Sequence, residues 1–321
     1  MKKWLMVIFA MLLMCGCSTK NETEKVVIML DYVPNTNHTG IYVAQKLGYF
    51  EEEGIEVEII EPGMNQTSAT MVASGNADFG ISYQEDVTYA IASKDPLPIK
   101  AIATIIQHNT SGFVSLKSAN INSAKDFENK IYAGWQAASE EAVIRAIMGK
   151  ENADFSKLTM IGADGSGFAS LGNTVDIQWE FEGWAVINGR LNGYDLNYIP
   201  CKDLDERLDY YTPVLITNDT MINENKETVQ KVVNAIKKGY EYAINDPEEA
   251  AKIMYEVLPD TDQNFILESQ KYLSQQYSLD SDTWGLMKDE VWNNYTDFMY
   301  EYGLIETKVE ASKQYTNEFI K

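Results

Sequence analysis

Apolar segments typical of strands alternate with helix-like segments over most of this chain. One series runs from the strand Val26–Leu30 to the strand Ile99–Ile106, and a second runs from Phe113–Leu116 to Val175–Phe181. Alternation of this kind predicts βαβ units and mostly parallel sheets. From Asn223 onward the pattern is almost wholly helical, so this tail must pack against an earlier layer. The sequence therefore predicts an α/β protein with two sheet-containing units.

The chain begins with a segment that is typical of export. Two lysines precede an unbroken run of ten apolar residues that ends at Met14. Such a run is too short to span a hydrocarbon core, which needs about 20 residues, and it matches the apolar region of a signal peptide. Cys15, a glycine and Cys17 follow, and this end resembles a bacterial lipobox with Met14 in place of leucine. We predict a signal peptide over 1–16, lipid attachment to Cys17 and a polar tether over 17–25. The alternative is a secretory signal cleaved elsewhere, or an uncleaved anchor.

Charge and cysteine content restrict the partners and the location. The chain has 26 Lys and Arg against 48 Asp and Glu, and loss of the two leader lysines leaves 24 − 48 = −24. A surface this acidic repels phosphate backbones, so no nucleic-acid partner is expected. Three cysteines cannot form a disulfide framework, and Cys201 is expected to be a small buried residue. We expect a protein at the extracytoplasmic face of the cell membrane that contacts the membrane through its lipid anchor only.

The loop after the first predicted strand is the first candidate binding segment. In open α/β sheets, ligands bind at the carboxyl ends of strands, where helix N-termini present free N–H groups. This loop contains Asp31, Tyr32, Asn35 and His38. Helix capping explains some of these polar residues, but not the whole cluster. Since a loop histidine is usually a hydrogen-bonding residue, we expect no catalysis from His38 or from His108, the other histidine of the chain.

Three later strand ends supply further candidates. Tyr83 and Gln84 follow the strand predicted over 77–82, and Trp135 ends the strand predicted over 130–135. Glu180 alternates with apolar residues near the end of a strand that should be apolar throughout if both faces are covered. A ligand with N–H donors would explain this carboxylate, and exposure to solvent is the alternative. Trp135 and Trp184 would offer aromatic faces to a ligand, with packing in the core as the alternative for each.

Four stretches of the sequence carry a resemblance to one known family. They are LDYVPNTNHTGIYVAQKLGYF, ASGNADFGISYQ, IIQHNTSGFVSLK and YYTPVLITN. They resemble the thiamine-pyrimidine-precursor binding family, the ThiY-like substrate-binding proteins of ABC importers within the SsuA and thiamine pyrimidine synthase-like group. The resemblance implies a type II periplasmic-binding-protein fold, with two α/β lobes, a ligand cleft and two hinge crossovers. Lobe 1 would comprise 26–109 plus 213–321, and lobe 2 would comprise 110–212.

The same resemblance implies a function. The chain would be a monomeric solute-binding lipoprotein that works with ABC permease and ATPase subunits. Its ligand would be a thiamine pyrimidine precursor of formylaminopyrimidine or hydroxymethylpyrimidine type, taken up for thiamine salvage. Asp31 and Tyr32 match the family's polar residue and aromatic residue after the first strand. Glu180 matches the carboxylate that meets the pyrimidine's amino edge, and Trp184 lies in the family's Gly-Trp pair. No cofactor and no metal are implied.

Other functions remain as alternatives. A protein of the same fold could carry a riboflavin-like heterocycle, a sulfonate or nitrate, although the candidate loops hold no Arg or Lys for an anion. The related pyrimidine synthases use a Lys and a His in the segment that corresponds to Ser82–Asp86, and a cysteine-rich iron motif. Here that segment has neither, and the stretch before Tyr211 has only Cys201. A hydrolase with paired carboxylates would need Glu180 and Glu182 to face each other, but two residues apart on a strand they point the same way. We expect recognition without chemistry.

Overall fold

The computed structural model describes residues 23–64 and 66–320. The predicted signal peptide, Cys17 and residues 18–22 of the tether lie outside these ranges. Within them, ten strands form two five-stranded sheets. In chain order the strands are β1 (Glu24–Met29), β2 (Ile55–Ile60), β3 (Phe79–Ser82), β4 (Ile99–Thr104), β5 (Ser111–Leu116), β6 (Ile131–Gly134), β7 (Thr159–Gly162), β8 (Ile177–Phe181), β9 (Leu196–Pro200) and β10 (Val214–Asn218).

Both sheets are mixed, and the prediction of mostly parallel sheets is confirmed, because four of the five strands in each sheet run in the same direction. The first sheet has the order β2-β1-β3-β10-β4, and β10 runs antiparallel to β3 and to β4. The second sheet has the order β7-β6-β8-β5-β9, and β5 runs antiparallel to β8 and to β9. The chain crosses between the sheets after β4 and after β9. The chain leaves the first sheet at the end of β4 and returns to it at the start of β10. Because this end and this start lie on the same side of the sheet, β4 and β10 run in opposite directions. In the second sheet, the start of β5 and the end of β9 are related in the same way.

Helices cover the sheets and make up the tail, as the sequence predicts. The helix expected over 39–50 is two helices, which are separated where Gly48 takes a left-handed backbone conformation with φ of 77°. In chain order the α-helices are α1 (Thr39–Lys46), α2 (Tyr49–Glu52), α3 (Ser68–Ala73), α4 (Gln84–Ala92), α5 (Ala138–Lys150), α6 (Ile187–Leu191), α7 (Cys201–Leu204), α8 (Asp219–Glu224), α9 (Lys226–Asn245), α10 (Pro247–Val257), α11 (Gln263–Gln276), α12 (Asp289–Glu301) and α13 (Ala311–Gln314). Over the ranges that the structure describes, every helix is too short or too polar to traverse a bilayer.

Helix α12 of the tail packs against the cores of both sheets. Its Trp292 lies in the apolar cluster that contains Met29 and Val214 of the first sheet. Its Tyr295 and Phe298 lie in the cluster that contains Phe113 of the second sheet. The tail is therefore attached to both sheets, and the assignment of all of 213–321 to lobe 1 stays a prediction.

A close crossing of α1 and α9 attaches the tail to the first sheet. A Cβ on Gly40 would overlap the ring of Tyr240, and a Cβ on Gly239 would overlap the carbonyl oxygen of Gly40. The Tyr240 hydroxyl donates a hydrogen bond of 2.6 Å to the carbonyl oxygen of Asn37, and its ring stacks on Trp284 with 4.6 Å between centroids. The crossing thus also holds the loop that follows β1.

We expect Gly40→Ala to lower the free energy of unfolding by about 1–3 kcal/mol, since the added methyl has to displace a buried ring. Gly149→Ala in α5 is the matched control, because a Cβ there meets no atom within 4 Å. It should leave stability unchanged or raise it by up to about 1 kcal/mol. Urea denaturation of both variants measures the difference, and equal stabilities would contradict the close crossing.

Candidate functional site

A cavity of about 390 Å³ lies where the carboxyl ends of strands from both sheets come together. Most of the residues predicted to bind a ligand lie in its wall. They are Asp31, Tyr32, Asn35, Tyr83, Trp135, Glu180 and Trp184. The wall also contains Asn37, Phe181, Ala185, Thr212 and Pro213, which the sequence analysis did not select. We call this space the main cavity.

Glu180 is the main-cavity carboxylate that the protein leaves without a partner. It lies on β8, and no hydrogen bond or ion pair from residues 23–64 or 66–320 reaches its side-chain oxygens. Burial raises the pKa of Glu180 to about 7. Glu180 is half-buried, and an acceptor that loses water without gaining a donor carries a desolvation cost. The main cavity therefore favours an occupant that brings N–H donors to Glu180.

Asp31 is a second main-cavity carboxylate, and hydrogen bonds from the protein stabilise its charge. Its Oδ1 lies 2.6 Å from Nε2 of His38, and the backbone N–H of Asn35 donates to Nδ1 of that ring at 3.2 Å. Because Nδ1 accepts, Nε2 carries the hydrogen and donates to Asp31. Burial alone would raise the pKa of Asp31, but His38 and a hydrogen bond from Tyr83 hold it below its usual value. Asp31 is thus fixed as an ionised acceptor.

Aromatic rings supply the apolar faces of the main cavity. Tyr32 is 61% exposed and Trp135 is 60% exposed, so both rings have free faces. Trp135 is backed by Trp179, with 6.1 Å between ring centroids, and Trp184 is backed by Phe265 of α11 at 4.5 Å. Rings that are held from behind and open in front suit stacking on a flat ligand.

Three of the predicted binding residues use their side chains inside the protein. Gln84 is fully buried and does not line the main cavity: its Nε2 donates to the carbonyl oxygen of Val291 and its Oε1 accepts from the N–H of Tyr211. His38 is also fully buried and lies behind Asp31. Asn35 reaches the wall, but its amide hydrogen-bonds within its own turn. The structure brings neither Gln84 nor His38 to the main cavity.

A smaller cavity of about 230 Å³ adjoins the main cavity and carries two further carboxylates. We call it the acidic compartment; its lining residues are Tyr83, Glu85, Asp86, Trp135, Phe181, Tyr210 and Thr212. Burial and then the neighbouring Glu85 raise the pKa of Asp86 to about 6. Burial also raises the pKa of Glu85, although Tyr295 donates to it at 2.5 Å. In the sequence these acids look like ordinary first-turn residues of α4, which the helix dipole favours.

Comparison with known proteins gives a family match over residues 35–250, to the family described as NMT1/THI5 like. The chain is 27% identical over 273 residues to the formylaminopyrimidine-binding protein of Halalkalibacterium halodurans. The aligned region covers 78% of each chain. It is 24% identical over 322 residues to the 4-amino-5-hydroxymethyl-2-methylpyrimidine phosphate synthase THI13 of Saccharomyces cerevisiae. That aligned region covers 93% of this chain and 88% of the synthase.

A solved structure shows the fold. The periplasmic aliphatic sulphonate binding protein SsuA of Escherichia coli matches with a TM-score of 0.71 at 12% identity, over 91% of this chain and 97% of that one. The predicted two-lobed periplasmic-binding-protein fold is confirmed.

The raised pKa of Glu180 should make the stability of the ligand-free protein depend on pH. The unfolded chain releases this proton near pH 4.5 and the folded chain near pH 7, so the contribution to stability is present below pH 4.5 and is lost as the pH rises through 7. We expect Glu180→Gln to be up to about 3 kcal/mol more stable than the unmodified protein at about pH 8 and equally stable at about pH 4.

Urea denaturation without ligand at both pH values measures this effect. Glu58→Gln is the control, because it removes an exposed carboxylate on β2 that does not line the main cavity. Identical stabilities of Glu180→Gln and the unmodified protein at the higher pH would show that Glu180 is solvated.

Proposed function

The chain belongs to the NMT1/THI5-like family, and on that premise we propose that it is the solute-binding component of an ABC importer. Its ligand is a pyrimidine precursor of thiamine, of formylaminopyrimidine or hydroxymethylpyrimidine type, taken up for thiamine salvage. The observation that carries the proposal is the unpartnered carboxylate of Glu180 in a cavity with aromatic walls. The name of the 27% identical relative, a formylaminopyrimidine-binding protein, supports the same ligand class.

Recognition follows from the two kinds of surface in the main cavity. A flat aminopyrimidine stacks on rings drawn from Tyr32, Trp135 and Trp184, and each stacked pair contributes about 0.5–1.5 kcal/mol beyond area burial. Its amino group and ring edge face Glu180, and Asp31 provides a second acceptor. A ring without the amino donor leaves Glu180 buried and unpaired, so the cleft rejects it.

Capture without chemistry is the mode of action that the residues support. The segment 82–86 supplies no Lys or His. Cys201 is fully buried in the apolar cluster of the second sheet, and burial raises its pKa to about 12, which keeps it an unreactive thiol. The relationship to a synthase is therefore one of shared ancestry and fold in this proposal, and the protein returns its ligand unaltered.

Calorimetric titration with formylaminopyrimidine tests the proposal. We expect binding by the unmodified protein and about 10- to 100-fold weaker binding by Glu180→Gln, because a hydrogen bond to a charged group contributes about 1.5–3 kcal/mol. Glu58→Gln, away from the main cavity, should bind normally. Titrations with riboflavin and with an alkanesulfonate complete the panel. Tighter binding of either compound, or an affinity for formylaminopyrimidine unaffected by Glu180→Gln, would refute this assignment.

Anchoring through Cys17 is a separate part of the proposal. The first strand begins at Glu24, two residues before the predicted start, so residues 18–23 would link the lipid to the fold. Cys17→Ser should abolish incorporation of labelled fatty acid in the bacterial host and release the protein from the membrane fraction. Cys15→Ser is the matched control and should stay lipidated. Labelling of Cys17→Ser at the normal level would contradict the anchor.

A further inference from the structure

A further cavity, of about 260 Å³, adjoins the main cavity at Glu180. We call it the side cavity; it lies between residues 166–169 and helix α6, and all of its lining residues fall within 166–194. Glu180 and Ala185 line both cavities, so the two spaces meet at the carboxylate that the protein leaves without a partner. A ligand that contacts Glu180 from the main cavity can therefore extend into the side cavity.

The outer wall of the side cavity is held in place by the protein itself. Gln178 of β8 is buried, and its Nε2 donates to the carbonyl oxygen of Gly167 and to Oγ of Ser170, each at 3.1 Å. The ring of Phe168 packs closely on α6, because a Cβ on Gly189 would lie 2.5 Å from its ring carbons. The side cavity therefore exists as a shaped pocket before any ligand arrives, which lowers the cost of ordering an occupant.

The side cavity offers uncharged hydrogen-bonding groups and aromatic faces. Nδ2 of Asn192 donates to Oδ1 of Asn188 at 2.9 Å, which holds the two amides side by side. No hydrogen bond from residues 23–64 or 66–320 uses Nδ2 of Asn188 or Oδ1 of Asn192, so one donor and one acceptor remain for an occupant. Phe168 and Tyr194 add apolar contact, and no Lys, Arg or His is among the described residues that line this cavity. Such a wall suits an uncharged chain with amide or hydroxyl groups.

We propose that the side cavity is a subsite for an uncharged, hydrogen-bonding arm of the ligand. The ring stacks in the main cavity with its amino edge at Glu180, and the arm passes Glu180 to reach Asn188 and Asn192. This inference rests on the proposed function and extends it, since the substrate class then includes aminopyrimidines whose arm is longer than a formylamino group. Both asparagines are exposed, so the far end of the side cavity opens to solvent and does not fix the length of the arm.

Calorimetric titration with three 4-amino-2-methylpyrimidines tests the subsite. The first has a 5-hydroxymethyl group, the second a 5-(N-formylglycyl)aminomethyl arm, and the third a 5-(N-pentanoyl)aminomethyl arm of the same length without the second amide. We expect the formylglycyl compound to bind at least as tightly as the hydroxymethyl compound. The pentanoyl compound should bind about 2- to 10-fold more weakly than the formylglycyl compound, because it cannot hydrogen-bond to the two asparagines.

Two variants of α6 separate the side cavity from the main cavity. Asn188→Trp fills the side cavity from a position that does not line the main cavity. We expect it to bind the formylglycyl compound at least about tenfold more weakly and the hydroxymethyl compound within about twofold of the unmodified protein. Leu191→Trp is the matched control, since Leu191 is an exposed residue of the same helix that lines neither cavity, and it should bind both compounds normally.

A smaller variant covers the case in which Asn188→Trp does not fold. Asn188→Ala keeps the space and removes the amide, so we expect it to weaken binding of the formylglycyl compound by about 2- to 10-fold and to leave the hydroxymethyl compound unaffected.

The outcomes distinguish the subsite from the proposed function. If the hydroxymethyl compound binds and the formylglycyl compound binds tenfold more weakly or not at all, the subsite is overturned and the proposed function stands. Equal affinities of the two long-armed compounds, or normal binding of the formylglycyl compound by folded variants of Asn188, would also overturn the subsite alone. Failure of all three compounds and of formylaminopyrimidine to bind would contradict the proposed function, and the subsite with it.

Discussion

Partial burial of Glu180 without a hydrogen-bond donor from the protein, which raises its pKa to about 7, is the interaction on which ligand binding in the cleft depends. Desolvation of a carboxylate is unfavourable unless something returns the lost hydrogen bonds, and the described residues around Glu180 do not. Asp31 lies in the same cavity and is also buried, but His38 and Tyr83 stabilise its charged form. One carboxylate is thus hydrogen-bonded by the protein, and the other receives no hydrogen bond from the described residues. Sites that give up stability in this way are a common property of binding proteins.

The surrounding elements keep both carboxylates in place. The loop that carries Asp31 is held from behind by Tyr240 of α9, which donates to Asn37. Trp184 is backed by Phe265 of α11, so a tail helix supports a ring contributed by the second sheet. The tail is therefore a structural part of the binding site, although none of its residues up to 320 lines the main cavity.

The sequence predicted the position of the site better than the roles of individual residues. Strand ends carry Asp31, Tyr83, Trp135 and Glu180, and those positions follow from hydrophobic patterns alone. The prediction could not distinguish Tyr83, which lines the main cavity, from Gln84, which does not. Gln84 is the first residue of α4, and its side chain points into the protein interior. Strand β9 was missed because most of it is only half-buried and lacks an apolar run. The mostly parallel direction of the strands was predicted, but the reversed strand of each sheet, β10 and β5, was not identified, because a pattern of side chains does not show from which end a strand enters its sheet.

Residues that act through long-range contacts gave the weakest signals. Glu85 and Asp86 occupy the first turn of α4, where acids are common for local reasons. Their place in a compartment that also includes Trp135 and Phe181 of the second sheet appears only in three dimensions. Cys201, in contrast, was expected to be a small buried residue, and it is one, because burial of a lone apolar-like residue depends mainly on its own chemistry.

Helix α12 has a mechanical consequence for opening and closing. Trp292 packs in the core of the first sheet, and Tyr295 and Phe298 pack in the core of the second, so this helix connects the two lobes. Packed interiors resist gradual deformation and change by discrete repacking. When one lobe moves relative to the other, either the lobe must repack against these rings or α12 must move with it. The range of this movement is limited by aromatic packing of α12, whose Tyr295 stacks on Tyr210 of the acidic compartment, as well as by the two connecting segments.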